Sequence, residues 1–144
     1  MSPLQPIITP ADLVEDRAGQ LLLTPIPAGW PSPAENYVED SLDLHRLVVR
    51  NPAATFFLRV VGDSMLGAGI HSNDLLIVDR SLTPTAGRVV VAVVDGELTV
   101  KRLLKRQGKM LLCPENPDYP EIDLEAREET IIWGVVSHVL HQLL

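Results

Sequence analysis

From residue 55 onward the sequence is a succession of short apolar segments, and this repetition constrains the fold more than any other feature. Segments rich in Val, Ile and Leu are separated by Gly, Asn, Asp or Pro, and they cover residues 55–61, 74–79, 88–94, 97–104, 109–113 and 130–140. Segments of this length and composition are typical of strands. Asp95-Gly96 and Gln107-Gly108 suit tight hairpin turns. The sequence therefore predicts a mainly β fold, with curled antiparallel sheets or a partly open barrel.

The first 40 residues differ from the rest because they hold seven of the twelve prolines. Each proline removes a backbone donor and biases its predecessor toward extended conformations, so neither a long helix nor a central strand is expected there. We interpret residues 1–40 as an extended N-terminal arm and residues 41–144 as the β-rich domain. Ser41 is predicted to cap a short helix that runs to about Val49.

Charge, cysteine content and apolar runs disfavour several classes of protein. A formal net charge of -7 argues against direct binding of nucleic acid, which requires clustered Lys and Arg. We interpret the one basic stretch, residues 101–106, as a solvated strand edge, with a nucleic-acid patch as the alternative. The lone Cys113 cannot form an internal disulfide, and no secretory segment opens the sequence. The longest apolar stretch, residues 131–140, is shorter than the roughly 20 residues of a membrane-spanning helix. A cytoplasmic protein without a membrane anchor is expected.

Two residues have the chemical types that a hydrolase of the Ser/Lys kind requires. Ser64 follows Gly62-Asp63, and Lys101 lies among apolar residues of the predicted strand 97–104. A serine hydroxyl becomes a nucleophile when a neutral lysine amine takes its proton. Because the ordinary lysine pKa is about 10.4, burial must lower it by about 3, at a cost of roughly 4 kcal/mol. Without further support, a turn serine and a solvated strand lysine are the ordinary interpretations.

The remaining polar residues indicate structural roles. The four histidines, His45, His71, His138 and His141, show no metal-ligand spacing with Cys113, so we predict no metal site and no cofactor. Asp63, Asp74 and Asp79 follow the usual placement of aspartate at turns and strand ends.

Five ordered motifs extend over the chain beyond its first twenty residues. They are Ala28-Gly29-Trp30-Pro31-Ser32-Pro33-Ala34, Gly62-Asp63-Ser64-Met65, Asn73-Asp74-Leu75-Leu76-Ile77-Val78-Asp79, Val94-Asp95-Gly96-Glu97-Leu98-Thr99-Val100-Lys101 and Trp133-Gly134-Val135-Val136. With the interval from Ser64 to Lys101, they resemble the S24-type LexA/UmuD family of self-cleaving peptidases. The short arm and the sequence Pro31-Ser32-Pro33 favour the UmuD-like branch. Asn73 departs from the glycine common in this family, but asparagine tolerates left-handed backbone angles.

The resemblance implies a site and a reaction. Ser64 would be the nucleophile, Lys101 the general base, and the backbone N–H groups of Asp63 and Ser64 would stabilise the oxyanion. The implied scissile bond is Ala28–Gly29, where a small residue and a glycine permit close approach.

The resemblance also implies partners. A recombinase filament on single-stranded DNA would promote self-cleavage of a homodimer after DNA damage. Residues 29–144 would then serve the catalytic subunit of an error-prone translesion polymerase in SOS mutagenesis. The alternative is a noncatalytic dimeric module that regulates a polymerase.

Overall fold

The computed structural model describes residues 4–8, 18–22, 26–31, 39–126 and 129–144 of the chain. The strands within these ranges are, in chain order, β1 (Leu4–Ile8), β2 (Ala18–Leu22), β3 (Glu39–Asp43), β4 (Thr55–Val60), β5 (Leu75–Asp79), β6 (Val89–Val94), β7 (Glu97–Arg106), β8 (Lys109–Cys113), β9 (Ile122–Asp123) and β10 (Thr130–Leu140). The helices there are α1 (Leu44–Val48) and two short 3₁₀ helices, Pro52–Ala54 and Leu66–Ala68. The chain divides into two units, residues 1–11 with 51–144, and residues 12–50.

The larger unit is built on one antiparallel sheet of eight strands. Their order is β1-β4-β5-β10-β6-β7-β8-β9, so the sheet has β1 and β9 at its two ends and does not close into a barrel. β10 carries register shifts between Ile132 and Gly134 and between Val136 and His138. Such bulges bend a strand and increase its twist. The mainly β, antiparallel class predicted from the sequence is confirmed.

The six predicted strands correspond to β4, β5, β6, β7, β8 and β10, with ends that differ by at most two residues. Both predicted hairpin turns are confirmed, because Asp95 and Gly96 have φ values of 51° and 80°, and Gln107 and Gly108 have 52° and 78°. The sequence patterns do not predict β1, β2, β3 or β9. β1 contains a proline, which is tolerated there because β1 is an edge strand that, among the described strands, pairs only with β4.

The core of the larger unit consists of two buried clusters. Successive side chains of a strand point to opposite faces of the sheet, so β6 contributes to both clusters. Val91 lies in the first cluster, and Val90, Ala92 and Val94 lie in the second. The first cluster also holds Leu58, Val60, Met65, Ile70, Leu76, Val78 and Val100. The second also holds Leu103, Leu112, Ile122 and Val135. Apolar side chains therefore pack on β6 from both faces.

The smaller unit contains β2, β3 and α1, and it corrects the predicted helix start. Ser41 lies in β3, opposite Gln20 of β2, so its backbone belongs to a strand ladder. The N-cap is Asp43, whose side chain accepts a hydrogen bond of 3.2 Å from the Arg46 N–H. The helix has five residues, and none of the helices in the described part of the chain has the length to cross a bilayer.

Candidate active site

Ser64 lies in the turn that follows β4. Gly62 has a φ of 108°, a left-handed conformation that glycine adopts without strain. Met65 follows Ser64 and is buried in the first core cluster. The segment then returns to β4, where the Asn73 N–H donates to the Val60 carbonyl at 2.7 Å. Ser64 itself is 0% exposed.

Lys101 lies on β7 and reaches Ser64 across 37 residues of sequence. Its Nζ donates hydrogen bonds to Ser64 Oγ at 3.1 Å, to Thr99 Oγ1 at 2.9 Å and to the Val100 carbonyl at 3.1 Å. The side chain is 1% exposed, which is unusual for a lysine. The tertiary structure thus brings the two residues of the predicted dyad into direct contact.

The electrostatics of the site follow from this burial. Removal from water disfavours a charged amine, and desolvation lowers the pKa of Lys101 from 10.5 to about 8. At neutral pH roughly a tenth of the molecules then carry an uncharged amine at this position, against far fewer for an exposed lysine. A neutral amine at hydrogen-bond distance from a serine hydroxyl is able to accept its proton.

Thr99 is a member of the site that the sequence analysis does not single out. It is 0% exposed, and its Oγ1 accepts a hydrogen bond from Lys101 Nζ at 2.9 Å. Residues i and i+2 of a strand lie on the same face, so the pattern Thr99-Val100-Lys101 contains a usable signal.

Residues 114–121 brace the turn that carries Ser64. The Glu115 N–H donates to the Ser64 carbonyl at 2.9 Å, and the Asn116 side-chain amide donates to the Asp63 carbonyl at 2.9 Å. The Tyr119 hydroxyl donates to Asp63 Oδ1 at 2.5 Å, and this hydrogen bond raises the pKa of Tyr119. Sequence separations of more than fifty residues give these contacts no local signal, so the sequence analysis misses them.

The remaining predicted residues lie in two places. Asp63 is in the braced turn beside Ser64, which fixes the backbone whose N–H groups are predicted to bind the oxyanion. Ala28 and Gly29 lie in residues 26–31, an exposed segment without helix or strand in the smaller unit. A Cβ added to Gly29 would meet no atom within 4 Å. The backbone around the predicted scissile bond is therefore exposed to solvent.

Comparison with known proteins shows the family of the chain. The family described as Peptidase S24-like matches residues 20–137. This chain belongs to that family. Protein SamA of Salmonella typhimurium strain LT2 is 48% identical over 116 residues, which cover 81% of this chain and 80% of SamA. Protein MucA of Escherichia coli is 50% identical over 116 residues, with 80% and 79% covered. The LexA repressor of Erwinia tasmaniensis is 40% identical over 119 residues, 83% of this chain and 58% of the repressor.

The resemblance inferred from the sequence motifs is thereby confirmed. The chain is a UmuD-like, autocatalytic serine peptidase of the S24 type, and it acts as an accessory to an error-prone polymerase in SOS mutagenesis.

Proposed function

We propose that Ser64 and Lys101 cut the chain's own Ala28–Gly29 bond. The observation that carries this proposal is the 3.1 Å contact between Lys101 Nζ and Ser64 Oγ at a site where burial lowers the lysine pKa to about 8. The alternative of a noncatalytic module is disfavoured. Burial of a lysine lowers the stability of the folded protein, and a module without a chemical role for this lysine would be more stable with an apolar residue there.

The proposed reaction has two stages. Neutral Lys101 takes the proton of Ser64 as Oγ attacks the Ala28 carbonyl carbon, and the backbone N–H groups of Asp63 and Ser64 stabilise the oxyanion. The Lys101 ammonium then gives the proton to the Gly29 nitrogen as the peptide bond breaks, leaving an ester on Ser64. Water, deprotonated by Lys101, hydrolyses this ester and releases residues 1–28 with a free carboxylate.

In the proposed setting, residues 1–40 form the arm that carries the bond, and residues 41–144 form the peptidase domain. The protein acts as a homodimer in the cytoplasm. A recombinase filament on single-stranded DNA adds no catalytic group, but it favours the arm conformation in which Ala28–Gly29 lies at Ser64. Residues 29–144 then assist the catalytic subunit of the error-prone polymerase.

Intact-mass spectrometry during incubation at alkaline pH tests the reaction and the bond together. The expected product is residues 29–144, formed by the unmodified chain and absent from Ser64→Ala. Gly29→Lys should block the cut by crowding the site. The chain offers a matched control, because Ala18-Gly19 is the same dipeptide in β2, paired with β3. Gly19→Lys should therefore leave the product unchanged. A product beginning at Gly19, or fragment formation by Ser64→Ala, would reject the proposal.

A further inference from the structure

Two histidines and an aspartate, which take no part in the proposed peptidase reaction, lie together where β5 begins and β10 ends. His71, Asp74 and His141 each offer one ligand atom, and these atoms lie within 4.8 Å of one another. Asp74 immediately precedes β5, and His141 immediately follows β10. Because β5 and β10 are antiparallel with Leu75 opposite Leu140, the residues just beyond this pair become neighbours.

The carboxylate of Asp74 is the fixed part of this cluster. Its side chain is 2% exposed, and Oδ2 accepts a hydrogen bond of 2.8 Å from the His71 backbone N–H. Oδ1 lies 2.5 Å from His141 Nδ1, while Oδ2 lies 3.8 Å from His71 Nδ1. The planes of the two imidazole rings are tilted by 33°, and their centroids lie 4.5 Å apart. The carboxylate is therefore held by the backbone, with an imidazole on each side.

The imidazoles are the adjustable part. The side chains of His71 and His141 are 49% and 41% exposed, so the cluster is open to solvent and the rings have room to turn. Tetrahedral Zn²⁺ binds imidazole nitrogen and carboxylate oxygen at about 2.0–2.2 Å, which puts ligand atoms roughly 3.3 Å apart. His141 Nδ1 lies 2.5 Å from Oδ1 and His71 Nδ1 lies 3.8 Å from Oδ2, and one ligand atom from each of the three residues lies within 4.8 Å of the others. Rotation of the two partly exposed imidazoles would bring both to the spacing that an ion on one carboxylate oxygen requires.

We propose that His71, Asp74 and His141 bind a divalent transition-metal ion of the Zn²⁺ class, with solvent at the open position. Two imidazoles and one carboxylate form a ligand set that suits such ions. The hydrogen bond from the His71 N–H orients the carboxylate, as partners outside the ligand set commonly do for metal ligands. The proposal departs from the sequence-based prediction of no metal site, because His141 is 67 residues from Asp74.

The location gives the ion a structural consequence. The Val60 N–H donates to the Asp74 carbonyl at 2.9 Å, and this hydrogen bond joins the two ends of the segment between β4 and β5 that carries Ser64. An ion bound by His71, Asp74 and His141 would link the end of this segment at Asp74 to the C-terminal end of β10. Binding to the folded state alone should raise the thermal unfolding temperature, by an amount that grows with the logarithm of the ratio of free ion concentration to Kd.

The test uses the full-length Ser64→Ala protein, which stays intact during the measurement and makes the result independent of self-cleavage. Calorimetric titration with Zn²⁺ should give one ion per chain, and Co²⁺ should give the visible absorption of a four- or five-coordinate ion. His71→Ala or His141→Ala should weaken the affinity at least about tenfold. His45→Ala and His138→Ala, at histidines outside the cluster, should leave the affinity unchanged.

Thermal unfolding provides a second readout. Zn²⁺ should raise the unfolding temperature of the Ser64→Ala protein and of its His45→Ala and His138→Ala variants, and at the same concentration should raise that of its His141→Ala variant less. Because the two cluster histidines are partly exposed, their substitution is compatible with folding. Absence of stoichiometric binding, or equal affinities in the cluster variants and the controls, would overturn the proposal and leave a hydrogen-bonded His–Asp–His group.

Discussion

Strand β7 carries two lysines whose surroundings differ completely. Lys101, near its middle, is 1% exposed and contacts Ser64, whereas Lys105 is exposed to solvent four residues later. Next to Lys105, Arg106 forms an ion pair of 2.9 Å with Glu121 at the surface. The same strand and the same residue type thus give a candidate base at one point and an ordinary solvated cation at another. Burial, rather than residue identity, lowers the lysine pKa.

This comparison also corrects the interpretation of the basic stretch 101–106 as a solvated strand edge. β7 pairs with β6 on one side and with β8 on the other, so it is an interior strand. Arg102 contacts Glu115 at 2.6 Å, and only Lys105 and Arg106 match the solvated interpretation.

The largest expected difference between the two lysines is in self-cleavage. Lys101→Ala should slow formation of residues 29–144 by at least about a thousandfold, because it removes the amine that contacts Ser64 Oγ at 3.1 Å and is proposed to take its proton. Lys105→Ala should cleave at the unmodified rate. Intact-mass time courses at one alkaline pH measure both. Similar rates for the two variants would break the comparison.

The second expected difference is in stability. Folded Lys101 has a pKa of about 8 against 10.5 when unfolded, so the unfolded chain binds more protons between these pH values. Burial of the charged amine therefore costs stability in full below about pH 8, and this cost disappears as pH rises through 10.5. In a Ser64→Ala background, Lys101→Met should raise the free energy of unfolding at pH 7 by about 1–3 kcal/mol. This figure is the cost of burying the charged amine minus the contribution of the lysine's lost hydrogen bonds.

Denaturant titrations at fixed protein concentration, repeated from pH 7 to 10.5, measure this effect. The gain should shrink as pH rises through the window. Lys105→Met is the control, and it should change stability by less than about 0.5 kcal/mol at every pH. A destabilised Lys101→Met protein at pH 7 would contradict the prediction.

The pH dependence of the reaction gives a third, smaller effect. Because only the neutral amine accepts a proton, the cleavage rate should rise about tenfold per pH unit below the Lys101 pKa of about 8 and level off above it. Lys105→Ala should show the same profile, since its amine takes no part. A rate that does not change between about pH 6 and about pH 9, a range that spans the Lys101 pKa, would exclude Lys101 as the titrating base.

The smallest expected effect concerns Thr99. Thr99→Val keeps the shape of the side chain but removes the hydroxyl that accepts a hydrogen bond from Lys101 Nζ. At pH values above the Lys101 pKa of about 8, cleavage should slow by about three- to tenfold because the amine loses a hydrogen bond that orients it toward Ser64. The midpoint of the pH profile should move downward because a hydrogen bond to the charged amine is lost. Thr130→Val is the control, since Thr130 Oγ1 is buried without a hydrogen-bond partner among the described residues. Equal pH profiles for both variants would assign Thr99 a purely structural role.

Local patterns predicted much of the β architecture. The strands β4 to β8 and β10 and the turns at Asp95 and Gln107 were predictable, because residue preferences and positive φ values depend on a few neighbouring residues. The cap at Ser41 was wrong because pairing of β3 with β2 places Ser41 within a strand. Such pairing depends on distant residues, and tertiary context overrides a local preference.

The site divides in the same way. Contiguous motifs predicted Ser64 and Lys101 as the dyad, and the structure brings Lys101 Nζ to 3.1 Å from Ser64 Oγ. The contacts of Glu115, Asn116 and Tyr119 with the turn that carries Ser64 could not be predicted, because they join segments more than fifty residues apart. The His71–Asp74–His141 cluster was likewise absent from any spacing pattern, since it depends on the register of β5 with β10.

The sequence alone determined the residue types, the strand segments and the order of motifs that identify the family. Only the tertiary structure decided which lysine is buried, which hydroxyl it contacts and which loop holds that hydroxyl in place. The physical reason is that strand and turn preferences act over a few residues. Desolvation and the pKa of Lys101 depend instead on atoms packed around it from distant parts of the chain.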